Sequence, residues 1–452
     1  MQPGKTPPRA RPTTAIALLP QDDRGNGWLN VLPPRQPKPA LRGEHRADWL
    51  VLGAGFAGLA AARRLGELRP DESVLLLEAQ AAGEGTSGRN SGFAIDIPHN
   101  VGSHLTELAL AERHLRLARA GIACLEQSVR AAGIACQWSR RGKYHAAVKP
   151  RGAKAVLEPL RAMLAGLGEP YRWLDRDACR RELGTGYFEA AVHTPGTVLL
   201  NPAALCRGLA DSLPANVALC ERSPVVEFEL ANGVRLRTPE GSAHAPKAIL
   251  ATNAYAGEFG VFRGRLLGFA AMASLTRPLT AEERRALGGL GDWGVTPANA
   301  YAGTTLRCTQ DHRILIRQRI DYRPGLRMSA EEQRQVRDGG HLRSLRARFP
   351  MLPDLSFEHS WTGFVCLSGN RAPGFGQVAG NLWAAVCQNA IGVAKGTTAG
   401  MLAAELALGQ DDPLIGDMLA LGQPSRLPPP PIRDWGVRLR AWRELRRNRD
   451  EV

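Results

Sequence analysis

Apolar and polar positions follow two different periods along this chain, and together they predict an α/β protein. A run of four apolar residues starts at Trp49 and has the length of a buried strand. Glycines follow it at once, and after them apolar residues recur at the three- and four-residue spacing of a helix. A second apolar run, residues 74–77, ends on Glu78. Strand, helix and strand within about 30 residues predict a β-α-β unit.

The rest of the chain continues this mixture without an internal repeat. Segments 105–129 and 153–167 predict helices, because apolar residues recur every three or four positions among Ala, Leu, Arg and Glu. Short apolar runs within 217–252 predict strands, and 265–360 predicts further strands with one helix. Residues 382–408 predict a strand, a glycine-containing loop and a helix.

Composition narrows the class of protein. No run approaches the roughly 18–20 apolar residues of a membrane-spanning helix, so no membrane span is expected. The apolar run over 15–19 is short and lacks a small-residue cleavage site, so we expect no signal peptide and a cytoplasmic location. The eight cysteines are scattered, without a C-x-x-C pair or a histidine at ligand spacing. This pattern favours reduced, mostly buried thiols over a metal site or a disulfide framework.

The formal net charge is +15 and comes from arginine far more than from lysine. A basic surface can attract nucleic acid, acidic lipid or an anionic substrate. Arginine bias of this kind also follows from genome composition, and much of the excess lies in the two ends of the chain. No basic run is interleaved with aromatic residues in the manner of a nucleic-acid groove, so no nucleic-acid partner is expected.

The glycines after the first strand match the G-x-G-x-x-G pattern of dinucleotide-binding folds. Gly53 permits the tight turn, Gly55 lets the backbone approach a pyrophosphate, and Gly58 lets the helix pack closely on the strand. The helix N-terminus presents free N–H groups and a partial positive charge to phosphates. Glu78 is placed to accept hydrogen bonds from a ribose diol. The pattern does not decide between NAD and FAD.

The segment 84–93, EGTSGRNSGF, favours FAD. Small residues and hydroxyls in this density suit a chain that passes beside a large, flat, polar-edged ligand. The segment resembles the G-x-S-G-R-N-[SG]-G stretch of the FAD-dependent D-amino acid oxidase superfamily, which includes glycine, sarcosine and γ-glutamylputrescine oxidases. The similarity covers most of the chain and is nearest to the γ-glutamylputrescine oxidase type.

Further matches follow in the family's order. They are Gly196-Thr197 with Asn201-Pro202, Pro224-Val225-Val226, Ala251-Thr252-Asn253-Ala254-Tyr255, Trp361-Thr362-Gly363 with Arg371, Pro373, Phe375 and Gly376, and a loop from Asn389 to Thr397 in place of the family's S-G-H-G loop. The cofactor-binding residues predicted from motif and resemblance are Gly53, Ala54, Gly55, Phe56, Ala57, Gly58, Glu78, Ala79, Thr86, Ser87, Arg89, Asn90, Ser91, Val226, Ala251, Asn253, Gly392, Val393, Lys395, Gly396 and Thr397.

The resemblance implies an α/β fold in which a Rossmann-like FAD-binding domain of the glutathione-reductase type is interleaved with a substrate domain on a mixed or antiparallel sheet. A chain of 452 residues is also too long for one core of ordinary size. We expect residues 44–110, 190–265 and 358–412 to form a discontinuous FAD-binding domain. Residues 111–189 and 266–357 are expected to form the substrate-binding domain.

The two ends of the chain lie outside these domains. Residues 1–43 are rich in Pro, Arg and Gly and predict an extended N-terminal arm. Residues 413–452 predict a Pro-rich linker and a C-terminal helix. The helix carries an apolar stripe, expected to pack on the body of the protein rather than on a membrane, made of Trp435, Leu439, Trp442 and Leu445.

The resemblance implies oxidation of a C–N bond in a small amine or amino acid. A hydride equivalent passes from carbon to flavin N5, and the imine is hydrolysed to a carbonyl compound and an amine. Because the flavin carries the chemistry, the protein supplies orientation and charge. No catalytic triad and no metal are therefore expected.

Lys395 and Arg371 are the candidates for a catalytic role. The loop at 392–397 aims a helix N-terminus at the N1–C2=O edge of the flavin, where reduction creates negative charge, and Lys395 would add a full charge there. A first-turn lysine that points to solvent is the alternative. Arg371 is expected to border the substrate cavity and to hold a substrate carboxylate bidentately, with a buried structural ion pair as the alternative.

We expect substrate contacts from the sheet of the substrate-binding domain and from the residues that follow segment 84–93, which we call the flavin loop. The candidates, which the sequence does not rank, are His99, Lys143, His145, Tyr301, Arg317, Trp361 and Arg371. For Arg89 two interpretations are equally supported. It is either a phosphate or flavin partner, or an arginine that ties down its own loop.

Two departures from the family pattern concern the cofactor and its acceptor. Several relatives tether the flavin through a cysteine on the strand that here contains Cys366, but the register differs by one residue. We therefore expect non-covalent FAD, with Cys366 as a core thiol. Relatives that react fast with oxygen place a lysine on the strand that here spans 268–275, which has none. The acceptor is either O2 or a quinone or carrier protein.

Other functions remain as alternatives. A flavin module that modifies a tRNA base would suit the basic charge, but it is normally joined to a methyltransferase domain, and the arm before Glu44 is too short for one. A flavin monooxygenase or halogenase needs a NAD(P)H site or a chlorination motif, and neither is recognisable in the sequence. A flavin-free binding protein would be colourless.

Overall fold

The computed structural model describes residues 13–21, 25–98, 108–299 and 302–451. The strands are β1 (Thr14–Ala15), β2 (Gly43–Arg46), β3 (Trp49–Leu52), β4 (Val74–Leu77), β5 (Phe93–Ala94), β6 (Lys143–Ala147), β7 (Arg172–Leu174), β8 (Ala190–Thr194), β9 (Val198–Leu199), β10 (Val217–Cys220), β11 (Glu227–Ala231), β12 (Gly233–Arg237), β13 (Gly241–Ala245), β14 (Lys247–Leu250), β15 (Leu266–Thr276), β16 (Trp293–Pro297), β17 (Thr304–Cys308), β18 (Ile314–Tyr322), β19 (Phe357–Ser368), β20 (Gly374–Ala379) and β21 (Leu382–Val386).

The helices are α1 (Gly27–Asn30), α2 (Phe56–Leu68), α3 (Leu108–Ala132), α4 (Pro150–Gly152), α5 (Glu158–Gly166), α6 (Arg176–Leu183), α7 (Pro202–Asp211), α8 (Ala281–Ala286), α9 (Ala330–Gln335), α10 (Leu342–Arg348), α11 (Ala394–Ala407), α12 (Pro413–Leu419) and α13 (Ile432–Arg447). Within the described ranges, no helix has both the length and the apolar character needed to cross a bilayer.

A six-stranded sheet contains the predicted β-α-β unit. Its strand order is β10-β4-β3-β14-β21-β20, and all neighbours are parallel except β20 and β21. All four residues of β3 and all four of β4 are buried, which explains why both strands are continuous apolar runs rather than alternating ones. The α/β class and the dinucleotide-binding topology predicted from the sequence are confirmed.

Two larger sheets and one two-stranded sheet, β5-β9, complete the described architecture. An eight-stranded mixed sheet has the order β19-β15-β18-β17-β16-β6-β8-β7, with only β16 and β6 parallel. A five-stranded sheet of order β1-β11-β12-β13-β2 receives both of its edge strands from the N-terminal part of the chain. The mixed, largely antiparallel second sheet therefore agrees with the expected fold class.

Three elements, β8, β19 and α3, have partners across the predicted domain boundaries, and the division into two domains stays a prediction. Strands β8 and β19 pair within the eight-stranded sheet, although 190–265 and 358–412 were expected to belong to the FAD-binding domain. Helix α3 packs on α11 and shares the core of the six-stranded sheet, although residues after 110 were expected to belong to the substrate domain. Apolar periodicity identifies a strand or helix but not its distant partner, so it could not place these boundaries.

The N-terminal arm is extended over much of its described length, as predicted, but it is also built into the body. Asn26 Nδ2 donates to the carbonyl oxygens of Gly83 at 3.2 Å and Gly88 at 3.0 Å. The indole N–H of Trp28 donates to the carbonyl oxygen of Asn90 at 2.8 Å. Gly88 and Asn90 belong to the segment 84–93 and Gly83 directly precedes it, so the arm holds this predicted flavin loop in place.

The C-terminal helix lies on the body of the protein, but three of the four residues of the predicted stripe face away from it, and Leu445 is partly buried. Trp435 is 76% exposed and Trp442 is 52% exposed, and Leu439 is also exposed. The helix packs through its opposite side, where Val437 contacts an apolar cluster of the eight-stranded sheet. The spacing predicted one apolar stripe correctly, but a helical period cannot indicate which side of the helix faces the protein.

Helix α11 lies against both α2 and α3, and two glycines allow the close approach. A Cβ on Gly400 would lie 1.9 Å from the carbonyl oxygen of Ala57 in α2. A Cβ on Gly121 of α3 would lie 2.0 Å from the carbonyl oxygen of Ala394. Neither position accepts a side chain unless a helix moves. Ala57 lies in the first turn of α2 and Ala394 in the first turn of α11, so the N-terminal turn of each of these helices packs closely on a neighbouring helix.

Gly400→Ala is expected to lower the free energy of unfolding by about 1–3 kcal/mol, because the added methyl group forces α11 away from α2. Denaturant titration measures the stability, and the ratio of flavin to protein absorbance measures bound cofactor, which should fall as well. Gly416→Ala in α12 is the control, since a Cβ there would meet no atom within 4 Å. Equal stability of the two variants would contradict the close packing.

Candidate active site

A long cavity begins at the carboxyl ends of β3 and β4 and extends to one face of the eight-stranded sheet. The N-terminal turns of α2 and α11 both open on it. The predicted cofactor residues that line it are Gly53, Ala54, Gly55, Phe56, Ala57, Glu78, Ala79, Thr86, Ser87, Arg89, Asn90, Ser91, Ala251, Asn253, Gly392, Val393 and Gly396. Two regions that are more than 300 residues apart in sequence therefore converge on one site.

The glycine loop has the geometry that a pyrophosphate needs. Gly53 has φ of +97°, a conformation that side chains disfavour. A Cβ on Gly58 would lie 1.7 Å from the carbonyl oxygen of Gly53, so helix and strand can pack this closely only with glycine. Gly55 caps α2 without a side-chain hydrogen bond, and this glycine and the first turn line the cavity, where the N–H of Phe56 donates to the hydroxyl oxygen of Ser87 at 3.1 Å.

Glu78 lines the cavity at the end of β4. Its carboxylate accepts from the backbone N–H of Ala54 at 2.7 Å and of Gln80 at 3.0 Å. Burial is the largest influence on this carboxyl group and raises its pKa, while the two N–H donors oppose that rise. A carboxylate has lone pairs for further donors, so Glu78 can also accept from a ribose hydroxyl.

Four predicted cofactor residues do not line the cavity. Gly58 has the packing role described above. Val226 donates to the carbonyl oxygen of Arg237 and accepts from the N–H of Ile16, so its backbone is occupied and Val225 faces the cavity instead. The hydroxyl of Thr397 donates to the carbonyl oxygen of Val393 at 2.7 Å, within its own helix.

The fourth is Lys395, which is 2% exposed and therefore does not point to solvent. Burial lowers the pKa of its ammonium group to about 8. Burial of His114 in α3 lowers the pKa of its imidazole group to about 3, and the positive charge of Lys395 is a second, smaller cause. The backbone of Val393 and Gly396 on either side lines the cavity, whereas the Lys395 side chain does not. Direct contact between Lys395 and the flavin stays a prediction.

Arg89 ties down the flavin loop. Its guanidinium donates to the carbonyl oxygens of Glu84 and, at 3.2 Å, of Thr362 in β19. Trp361 completes this attachment, because its indole N–H donates to the carbonyl oxygen of Arg89 at 2.9 Å. Trp361 is buried against Trp28 and does not line the cavity, so it positions the loop rather than the substrate. The structure shows this attachment of the loop, and because Arg89 also lines the cavity, its contact with a phosphate or the flavin stays a prediction.

The far end of the cavity is formed by the eight-stranded sheet. Ala271 and Ala273 of β15 supply apolar surface, and Thr296, Thr305 and Arg317 supply polar surface. Nη2 of Arg317 donates to the hydroxyl of Thr305 at 2.6 Å on the neighbouring strand. Burial lowers the pKa of Arg317 to about 10, so the guanidinium stays charged at neutral pH.

Two predicted substrate residues lie behind Thr296 rather than in the cavity. Nδ1 of His145 lies 3.0 Å from the Thr296 hydroxyl, and Nζ of Lys143 lies 3.3 Å from it. Both side chains are buried. Burial lowers the pKa of Lys143 to about 8, while the nearby Asp96 carboxylate raises it. Lys143 is therefore a buried cation next to the polar end of the cavity.

Of the remaining substrate candidates, the structure describes Arg371 alone. Arg371 lies three residues beyond the end of β19, and it is absent from the described cavity lining. Its carbonyl oxygen accepts from Asn389 Nδ2 at 2.9 Å. Arg371 therefore does not border the described cavity, because the chain has already left the sheet at this point, and its contact with a substrate stays a prediction. His99 and Tyr301 lie outside the described residues.

Comparison with known proteins agrees with this arrangement. The family model described as DAO, FAD dependent oxidoreductase, matches residues 48–406. The chain belongs to this FAD-dependent oxidoreductase family. The predicted family resemblance, the fold, the FAD cofactor and the oxidoreductase class are thereby confirmed.

Individual relatives show the breadth of this family. The probable oxidoreductase OrdL of Haemophilus influenzae is 25% identical over 393 residues, which cover 83% of this chain and 86% of the relative. Gamma-glutamylputrescine oxidoreductase of Escherichia coli is 27% identical over 388 residues, covering 82% and 86%. The structure of glycine oxidase from Geobacillus kaustophilus superposes with a TM-score of 0.69 at 21% identity, covering 85% of this chain and 100% of that one.

Sequence reasoning missed one part of the FAD cavity. Ile16, Leu18, Leu19, Pro20 and Gln21 of the N-terminal arm line its nucleotide end. Strand β1 adds to β11, and the N–H groups of Ala17 and Leu18 donate to a carboxylate oxygen of Glu258 at 3.3 and 3.2 Å. The apolar run over 15–19 is the signal for this wall in the sequence, but a run of this length is equally typical of a targeting segment.

Leu19→Ala is expected to increase the FAD dissociation rate about tenfold, because part of a leucine side chain is removed from the wall of the nucleotide end. The rise of flavin fluorescence after dilution measures this rate. Leu419→Ala, which alters an exposed leucine of α12, is the matched control and should leave the rate unchanged. An unchanged rate in Leu19→Ala would show that this wall does not retain the cofactor.

Proposed function

We propose that this enzyme oxidises the C–N bond of a small amine or amino acid that carries an anionic group, and that Arg317 binds this group. The reaction class, FAD-dependent oxidation of amines and amino acids, is that of the family. The position of Arg317 at the sheet end of the cavity is the observation that carries the choice of substrate.

The charge distribution within the cavity supports an anionic substrate. Among the described lining residues, the carboxylates are Glu78 and Glu84, and both lie at the nucleotide end with the glycine loop. The sheet end has Arg317 in its lining and Lys143 behind Thr296. A carboxylate placed there gains charge-assisted hydrogen bonds from a planar guanidinium whose position is already restrained by Thr305.

The same positive charge assists the chemistry. An amine must lose its proton before it can be oxidised, and nearby cations together with a desolvated site lower the pKa of a bound ammonium group. The carboxylate contact also orients the substrate, so that its C–H bond reaches the cofactor in one geometry. FAD, when bound, supplies the acceptor for the hydride equivalent, and water then converts the imine to a carbonyl compound and an amine.

We propose that FAD is held without a covalent bond. Cys366 lines the cavity, and its thiol lies beside that of Cys387. The hydrogen bond with Cys387 and burial raise the pKa of Cys366 well above its ordinary value. A thiol that stays protonated is a poor nucleophile toward the flavin.

The wider setting is also a proposal. We place the enzyme in the cytoplasm, with O2 or a quinone or carrier protein as electron acceptor and without a nucleic-acid partner. Lys395 and the α11 N-terminus are proposed to stabilise the negative charge of the reduced cofactor, since burial keeps this lysine within the protein. We also propose that a FAD-binding and a substrate-binding domain are interleaved, with β8 and β19 in the substrate-binding domain and α3 in the FAD-binding domain.

Arg317→Met is expected to raise KM for an anionic amine about 100-fold, because two charge-assisted hydrogen bonds are lost. The test is an anaerobic screen for bleaching of the flavin absorbance with matched pairs, such as glycine and methylamine or γ-glutamylputrescine and putrescine. The anionic member of a pair should be preferred by the native enzyme and lose this preference in the variant.

Arg319→Met is the control, because Arg319 lies on the same strand but is exposed and paired with Asp321. It should leave KM unchanged. The proposal fails if neutral amines bleach the flavin as well as anionic ones, or if Arg317→Met and Arg319→Met have the same KM.

Lys143 predicts a pH dependence of anion binding. Its lowered pKa of about 8 means that the ammonium is charged below this pH and neutral above it. The affinity for a non-oxidisable carboxylate such as acetate should therefore fall as the pH rises from 7 to 9. Competitive inhibition constants measure this effect. In Lys143→Met the affinity for acetate should no longer fall over this pH range. If the variant shows the same pH dependence as the native enzyme, Lys143 does not contribute to anion binding.

A further inference from the structure

The outward side of α13 is an apolar stripe with no described protein partner. It consists of Ile432, Trp435, Leu439 and Trp442, all of which are exposed. Single exposed apolar residues are ordinary, but two tryptophans with a leucine and an isoleucine on one side of a helix form a continuous patch. Such patches in soluble proteins mark interaction sites.

The orientation of this helix is set by contacts at both ends. Near its start, the hydroxyl of Tyr322 donates to Asp434 Oδ1 at 2.7 Å. Beyond its end, the buried carboxylate of Glu451 accepts from the backbone N–H of Val148 at 2.8 Å and of Lys149 at 3.3 Å. Between these points Val437 packs on the eight-stranded sheet. The stripe therefore faces outward because the opposite side of the helix is attached to the body.

Charges are divided between the two sides of the helix. Its two carboxylates, Asp434 and Glu444, are partly buried on the attached side. Five arginines border or enter the exposed stripe, and Arg446 lies 4.9 Å from the ring of Trp442. They are Arg438, Arg440, Arg443, Arg446 and Arg447. The outward face thus combines apolar side chains with positive charge and presents no carboxylate of its own.

We propose that this outward face of α13 binds the surface of a membrane rich in anionic lipid. Tryptophan rings at the level of the headgroups and aliphatic side chains beneath them are the usual arrangement of a helix lying in a membrane interface. The arginines add attraction to the lipid phosphates, and their aliphatic parts extend along the boundary. The helix lies on the membrane and does not cross it.

The charge of this face also favours an anionic membrane over two other partners, a second copy of the chain and nucleic acid. A second copy of the chain placed symmetrically on this face would bring two sets of arginines together, which costs free energy. Nucleic acid would satisfy the arginines and could stack on the tryptophans, but it offers no apolar environment to Ile432 and Leu439. An anionic bilayer satisfies both components of the face.

The experiment is co-sedimentation of the full-length, FAD-loaded enzyme with vesicles. One set contains one part phosphatidylglycerol to two parts phosphatidylcholine, and the other contains phosphatidylcholine alone. The enzyme should sediment with the anionic vesicles and much less with the neutral ones, and added salt should weaken the binding. The proposal is overturned if the enzyme does not sediment, or if both vesicles bind it equally.

Two sets of variants test the two components. Trp435→Ser with Trp442→Ser should weaken vesicle binding at least about tenfold, since two interfacial rings are removed. Arg440, Arg443 and Arg447, all changed to Gln, should weaken it about 100-fold at low salt. The controls are Trp173→Ser, which alters an exposed tryptophan elsewhere, and a triple change to Gln at the exposed residues Arg284, Arg285 and Arg346.

Further readouts separate this proposal from the other possibilities. Equal loss of vesicle binding in the control variants would overturn the proposal. A native dimer that dissociates in the tryptophan variants would also overturn it, because a second copy would then cover the face. So would binding of RNA that persists at a salt concentration that releases the vesicles. FAD content and flavin bleaching by amines should be unchanged in every α13 variant. Failure of vesicle binding therefore leaves the proposed oxidation of anionic amines untouched, and the reverse also holds.

Discussion

The close packing of α11 between α2 and α3 is the constraint on which the rest of the structure depends. Gly400 and Gly121 remove the side chains that would separate these helices, and one contact falls at the first turn of α2 and the other at the first turn of α11. Two helix N-termini therefore open on one cavity, one next to the glycine loop and one next to Gly392. Aligned peptide dipoles at both places favour the negative charges of a dinucleotide and of a reduced flavin.

A second layer of contacts holds the loop between these helices. Arg89 and the indole of Trp361 attach it to β19, while Asn26 and Trp28 attach it to the N-terminal arm. The acceptors in these contacts are backbone carbonyl oxygens of the loop and of β19. The N-terminal arm contributes both to this attachment and to the wall of the cavity at its nucleotide end.

Electrostatics then differentiates the two ends of the cavity. Carboxylates lie at the nucleotide end, where Glu78 is fixed by backbone donors. Cations lie at the sheet end, where Arg317 is in the lining and Lys143 is buried behind Thr296. A cofactor that carries the redox chemistry needs no catalytic acid–base pair from the protein, so the charges serve orientation and substrate choice. A third region of charge, on α13, is separate from the cavity.

The sequence by itself determined the local features: the β-α-β unit, the glycine turn, the position of Glu78 and the family. Each of these depends on neighbouring residues, through an apolar period, a φ that only glycine tolerates or a fixed motif spacing. Tertiary structure alone decided that β8 and β19 join the eight-stranded sheet and that Arg317, but not Arg371, lines the described cavity. It also decided that the apolar stripe of α13 faces outward. These outcomes depend on contacts between residues far apart in the chain, and periodicity carries no information about such partners.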